Sequence, residues 1–295
     1  MFEEFKNAFQ RHNNGHVQLI LINVVVFLVM LIVRLVLTWT NNGGIYDAIH
    51  SQIAIPALIG DFLQKPWTII TYAFAHDLDG ILHIFLNMLA FYWFGRLFVE
   101  YLGSDKVIAV YVLGALAGGI AYLLVYNLIP YYHFRFPSGG MVGASAAVYA
   151  VAVATATLLP DYTFFLMFFG PVRIKYIAAL YIVISLVGTI GSNEGGNVAH
   201  LGGALIGFIY IKQLQAGNNW GKWITSALDW CRRLFSARRH VKVTYRKTAD
   251  SRKSAPRSPS ISQDEIDTIL DKISDGGYDS LTKEEKEKLF NASKK

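Results

Sequence analysis

Charge is scarce in this sequence: 16% of its 295 residues are Asp, Glu, Lys or Arg, where a soluble domain of this size carries about a quarter. Cysteine is scarcer still, with Cys231 standing alone, so no intrachain disulfide can form. Set among Arg232, Arg233, Arg238 and Arg239, that thiol reads as free and on a reduced face, with acylation the weaker alternative. No cleavable leader is expected either. Residues 1–16 hold Glu3, Glu4, Lys6 and Arg11, and the apolar run that follows is too long and lacks a small-residue cleavage site. The repeat symmetry and paired broken helices of a small transporter are absent too.

What the chain has instead is apolar length. Hydrophobic residues make up 53%, concentrated in long runs between 17 and 215, whereas the last 80 residues are polar. Six segments come close to the roughly 20 residues that cross a bilayer: Val17–Trp39, Ile81–Val99, Val107–Leu128, Ser145–Leu159, Ile174–Gly191 and Asn197–Gln215. The expected fold is an all-α polytopic membrane protein of six transmembrane helices with a small soluble helical tail. The fourth segment has 15 residues before Pro160, which is roughly 22 Å of helix. It must start or stop below the membrane surface, inside a protein-lined cavity.

Positive charges set the expected orientation. Arg96 and Lys106 lie between segments two and three, Arg173 and Lys175 between four and five. Residues 222–257 hold eleven Lys/Arg against two Asp. These stretches are expected to face the cytoplasm, with both termini inside. Arg34 and Arg135 run against the pattern. The expected location is an inner or plasma membrane, if the source is bacterial.

The chain divides into a cytoplasmic N-terminus (1–16), a membrane domain (17–215), a basic juxtamembrane segment (216–245), a linker (246–261) and a helical hairpin (262–295). In the third part, Trp223, Ala227, Trp230 and Leu234 fall at helical spacing beside basic residues, the pattern of a helix lying on the inner interface. Anionic lipid headgroups are the expected partner of 222–257; no nucleic acid is expected. In the hairpin, Ser262 with Glu265 and Thr282 with Glu285 have capping-box spacing. A calcium loop begun at Asp271 is rejected, because Ile273 and Thr282 occupy ligand positions.

Polar side chains inside apolar helices are expensive, so each is a candidate for function. Ser145 follows the glycine-rich run Ser138–Gly143 and opens the fourth segment. Free N–H groups and the helix dipole there suit an oxyanion; the plainer reading is an N-cap. His200 is followed by Gly203 and Gly207 on one helix face, a smooth surface for close packing against alanines of segment four. A neutral His200 can take a proton from a serine hydroxyl, or it can simply bond across helices. His83 and Asn87, four apart, share a face. Both can donate to an oxyanion, or they form an interhelical pair. A metal at His83 and His200 lacks a third ligand, since the six segments as bounded hold no Asp, Glu or Cys. No metal and no cofactor are expected.

Over residues ~60–215 the chain resembles the rhomboid intramembrane serine proteases. The resemblance is carried by His83-x-x-x-Asn87 in segment two, Gly143-x-Ser145 opening segment four, and Ala199-His200-x-x-Gly203-x-x-x-Gly207 in segment six. It implies Ser145 as nucleophile, His200 as base, an oxyanion hole from the Ser145 N–H, His83 and Asn87, and Tyr149 stacked on His200. It implies membrane-protein substrates; the cost of unwinding a substrate helix in lipid, with a cavity opening outward above the short fourth helix, places the expected cut near their outer ends. Two positions depart from the family: Ala146 replaces a frequent glycine, and Trp67-Thr68 replaces a Trp-Arg pair. The alternative is a catalytically silent relative of the derlin type, which binds membrane proteins; such relatives lack the Ser–His pair.

Overall fold

The computed structural model describes residues 13–137, 139–166, 169–191, 193–235 and 263–293. The chain divides into two compact units, Met1–Ala237 and Arg238–Lys295.

The first unit is an all-α membrane bundle. Its long helices are α1 (Gly15–Trp39), α5 (Ile81–Leu102), α6 (Ser104–Leu128), α7 (Ser145–Leu158), α8 (Ile174–Val187) and α9 (Glu194–Gln215). Between α1 and α5 lie the short helices α2 (Gly43–Ser51), α3 (Ile59–Gln64) and α4 (Thr68–Thr71). Helices α1, α5 and α6 are long and apolar enough to cross a membrane; α7 and α8 are apolar but shorter. Each of the six expected segments is a helix; four are extended by two or three residues at one end, the fourth stops one residue early at Leu158 and the fifth four residues early at Val187. Helix α9 thus begins at Glu194 rather than Asn197 and brings a carboxylate into the bundle. The loop after α7 forms an antiparallel hairpin, β1 (Thr163–Leu166) with β2 (Gly170–Arg173), which the all-α reading omitted.

Helix α7 sits at the centre, touching α5, α6, α8 and α9. Its alanines Ala146, Ala147, Ala150, Ala152 and Ala154 are buried. They let two glycine-bearing helices approach from two sides. On α9, a Cβ at Gly203 would run into the carbonyl of Ala146, and one at Gly207 into that of Ala150. On α6, Gly114 and Gly118 leave room for the methyl groups of Ala150 and Ala146. The sequence reading missed these α6 glycines. They also explain how alanine is tolerated after Ser145: its methyl fills the space that Gly118 leaves open. Around this plane Tyr72, Tyr111, Phe91, Phe98 and Tyr210 are almost fully enclosed.

The connection between α1 and α5 is held by hydrogen bonds. Trp67 Nε1 donates to the Gln52 carbonyl at 2.9 Å, and the buried Thr68 hydroxyl to that of Lys65 at 2.6 Å. Thr68 is therefore a bonded core residue. The two arginines that break the charge pattern each have a carboxylate partner: Arg34 with Asp79 at 2.9 Å, and Arg135 with the buried Glu194 at 3.1 Å.

Helix α10 (Lys222–Phe235) buries Ile224 and exposes Trp223 and Trp230, the sidedness of an interfacial helix. Leu234's side chain and all of residues 236–262, including Ser262, lie outside the described residues. The second unit contains α11 (Gln263–Gly276) and α12 (Lys283–Ser293). They enclose Ile269 and Leu281 and are bridged by Lys272–Glu285 at 2.9 Å. The Thr282 N–H donates to Glu285 Oε2 at 2.8 Å, and the Glu285 N–H reaches Thr282 Oγ1 at 3.4 Å.

Candidate active site

The Ser145 turn is built by its neighbours. Met141 and Ile55 exchange backbone bonds at 3.0 and 2.9 Å, and the Gly143 N–H donates to the Tyr72 carbonyl at 3.0 Å. The glycine-rich loop is thereby fixed to the stretch around α4. Gly143 has φ +146°, a conformation that side-chain-bearing residues rarely adopt. The chain can then turn sharply into α7.

Ser145 is not the cap of this helix. Ala144 holds that position, and no side chain caps the helix. Ser145 is the first helical residue, and its Oγ lies 2.7 Å from His200 Nε2, across 55 residues of sequence. The N–H groups of a first helical turn have no partner within the helix, and the dipole adds positive potential there. Ser145 is 9% exposed and His200 7%, so the pair is shielded without being sealed.

The imidazole is held from two further directions. The Tyr149 ring stacks on it, centroids 4.2 Å apart and planes within 14°. Its Nδ1 lies 3.1 Å from Ser185 Oγ on α8. The sequence reading missed Ser185. As the one polar side chain in Ile182-Val-Ile-Ser185-Leu-Val187, it satisfied the criterion that singled out His83 and Asn87, but a lone serine in a helix is a faint signal.

His83 and Asn87 occupy one face of α5. His83 is exposed and lines a cleft of about 1080 Å³, together with Gly140, Met141, Tyr122, Tyr126 and Glu194. Asn87 Nδ2 is buried and makes no hydrogen bond among the described residues. An unmade donor bond of this kind costs a few kcal/mol. It suits a group that appears only during reaction. The two side chains do not bond each other in the manner of a packing pair.

Glu194 was outside the expected segments. It accepts bonds from Arg135, Tyr131 and the Gly191 N–H at 3.1, 3.1 and 3.2 Å. It braces the start of α9 rather than orienting His200. No cluster of three or more metal-binding side chains occurs among the described residues.

Residues 63–215 match the family model described as Rhomboid domain, and residues 258–295 match a family of unknown function (DUF6576). Among curated proteins, the chain is similar to the Arabidopsis thaliana mitochondrial RHOMBOID-like protein 12: 32% identity over 167 residues, covering 51% of this chain and 47% of the relative. It is also similar to the chloroplastic Rhomboid-like protein 16 of the same plant: 27% identity over 165 residues, covering 51% and 49%. The chain thus spans about half the length of the curated relatives it matches.

Proposed function

The chain belongs to the rhomboid family, and from that premise we propose that it is an intramembrane serine endopeptidase that cuts transmembrane segments of membrane proteins. The observation that carries the proposal is the 2.7 Å contact between Ser145 Oγ and His200 Nε2 at the start of a buried helix. A hydroxyl and an imidazole within hydrogen-bond reach form an activated nucleophile.

Ser145 Oγ attacks the scissile carbonyl while His200 Nε2 takes its proton. The oxyanion is received by the Ser145 N–H, Asn87 Nδ2 and His83. His200 then protonates the leaving amine, and water hydrolyses the acyl-enzyme by the same steps in reverse order. The cleft that His83 lines is the proposed entry for water and the extended substrate; Ser145, His200 and Asn87 lie beyond its lining residues.

We place both termini in the cytoplasm, with the cleft opening on the outer side. The Lys/Arg-rich connections support this orientation, and the exceptions Arg34 and Arg135 are each paired with a carboxylate. A membrane helix hides its carbonyls in internal hydrogen bonds, so substrates that unwind near their outer end, at Gly, Pro or polar residues, are favoured. A small residue before the cut fits the crowding beside Tyr149. The exposed Trp223 and Trp230 of α10 and the basic charges around them support contact with anionic headgroups on the inner surface.

The test is labelling by a fluorophosphonate probe together with cleavage of a panel of single-span membrane proteins. Wild type is expected to react in both, and Ser145→Ala and His200→Ala in neither. Because the two residues act as a unit, the double variant is expected to be no worse than either single one. Clear turnover in Ser145→Ala would sink the proposal. An unreactive wild type that retains membrane proteins would favour the silent, binding-only alternative.

A further inference from the structure

His200 touches two serines. Its Nε2 lies 2.7 Å from Ser145 Oγ and its Nδ1 3.1 Å from Ser185 Oγ. Only one of them is placed to attack. Ser145 opens a helix, where unpaired N–H groups and positive potential meet a developing oxyanion. Ser185 is 0% exposed and sits two residues before the C-terminal end of α8. Unpaired carbonyls at such an end repel an oxyanion.

We propose that Ser185 is a positioning residue for the acyl-transfer reaction: its Oγ accepts the hydrogen bond of His200 Nδ1–H and so fixes the tautomer whose Nε2 is free to take the Ser145 proton. The inference rests on the serine-protease reading above.

The tautomer argument follows from hydrogen-bond capacity. A neutral imidazole has one donor nitrogen and one acceptor nitrogen. For Nε2 to accept from Ser145, the proton must sit on Nδ1, and Ser185 Oγ is its acceptor there. When Ser145 attacks, its proton moves to Nε2 and the ring becomes a cation. The Nδ1–H bond to Ser185 is then charge-assisted and stronger. Ser185 keeps its own proton throughout, and the proton on Nε2 leaves with the amine. The net balance is one proton carried from Ser145 to the leaving group.

The surroundings hold Ser185 in register with His200. Asn197, one turn before His200 on α9, donates Nδ2 to the Gly188 carbonyl, just past Ser185, at 2.9 Å. The same amide donates to the Asn193 carbonyl at 2.7 Å. The ring of Tyr149 stacks on His200 and limits its movement out of that plane. Serine and threonine inside helices commonly bond back to the carbonyl one turn earlier. Thr155 and Thr157 do so, at 2.6 and 2.7 Å. Ser185 reaches instead to a different helix. A hydroxyl also suits the location better than a carboxylate, because a charge inside an apolar span is costly. It orients the ring while adding no charge.

The test uses the full-length protein in detergent and measures saturation kinetics of Ser145 labelling by a fluorophosphonate probe. The variants are Ser185→Ala, Ser185→Thr and Ser185→Val. Threonine and valine have the same shape and differ only in the hydroxyl. Partners that fix the orientation of a metal-bound imidazole are worth about 10- to 100-fold, and the same order is expected for this ring. Ser185→Ala is therefore expected to lower the maximal labelling rate by about that factor, with the half-saturating probe concentration unchanged. Ser185→Thr is expected to outperform Ser185→Val by about tenfold or more at equal thermal stability. A wild-type maximal rate in Ser185→Ala, a change confined to half-saturation, or equal rates for the threonine and valine variants would each overturn the inference. A wild type whose labelling does not depend on Ser145 would remove the protease reading and this inference together.

Discussion

The Tyr149 ring lies 4.2 Å from the His200 imidazole and within 14° of parallel to it, four residues along the same helix from Ser145. The stack limits the imidazole to one plane. Tyr149→Phe keeps the ring and is expected to retain most activity. Tyr149→Ala removes it and is expected to lower kcat about 3- to 10-fold, given the 0.5–1.5 kcal/mol typical of a ring pair. Steady-state cleavage by both variants checks this; equal loss in the two would assign the effect to the phenol hydroxyl instead.

The unmade bond at Asn87 Nδ2 fits the oxyanion donor of the proposed mechanism. Asn87→Ala is expected to reduce kcat about 10- to 1000-fold, the range for removing one such donor, and to leave thermal stability unchanged or slightly raised. His83→Ala is expected to act in the same direction. Full activity in both variants would return this pair to helix packing.

Close approach of α9 to α7 depends on the bare backbone of Gly203 and Gly207. Gly203→Val is expected to destabilise the bundle by about 1–3 kcal/mol, as overpacking does, and to lower activity by displacing His200. Thermal unfolding in detergent reads the first effect and fluorophosphonate labelling the second. Unchanged unfolding would mean the helices meet less tightly than described.

The hairpin unit has its own pH dependence. The Thr282 N–H and the Lys272 ammonium hold the Glu285 carboxyl down at about 2, from an ordinary value of 4.5. A depressed carboxyl stabilises the folded form above its unfolded pKa, and that contribution is lost as pH falls through the folded one. Hydrogen-exchange protection of residues 263–293 is therefore expected to decline between about pH 4.5 and pH 2. Glu285→Gln should flatten this decline; a decline of the same size in that variant would exclude Glu285 as its source.

Deleting residues 246–295 is expected to leave membrane insertion and cleavage in detergent unchanged. The hairpin packs its own apolar residues Ile269 and Leu281, and each of Ser145, His200, His83 and Asn87 precedes the deletion. Cleavage assays on the truncated chain check this, and loss of activity would give the tail a role in the core.

The site was legible to the extent that polarity stood out against lipid-compatible sequence. His83, Asn87, Ser145 and His200 were each conspicuous because an apolar helix rarely carries such groups. Ser185 met the same criterion but was lost, because a helical serine normally satisfies itself locally. Gly114 and Gly118 were lost for another reason. Glycine in a helix has no partner until the neighbouring helix is known, and only then does the fit to Ala146 and Ala150 emerge. The start of α9 lies three residues ahead of the expected Asn197, because the bonds from Arg135 and Tyr131 that make Glu194's burial tolerable come from elsewhere in the chain.

The sequence by itself determined the membrane class, the helices, the short fourth span and the residues able to do acyl-transfer chemistry. Each follows from local composition and period, because lipid forces every backbone group to bond within its own helix. The tertiary structure decided which of those residues meet. The 55 residues between Ser145 and His200, the third contact at Ser185 and the open donor of Asn87 depend on how α5, α7, α8 and α9 cross. Those crossings are set by side-chain and glycine contacts between helices, and no single helix encodes them.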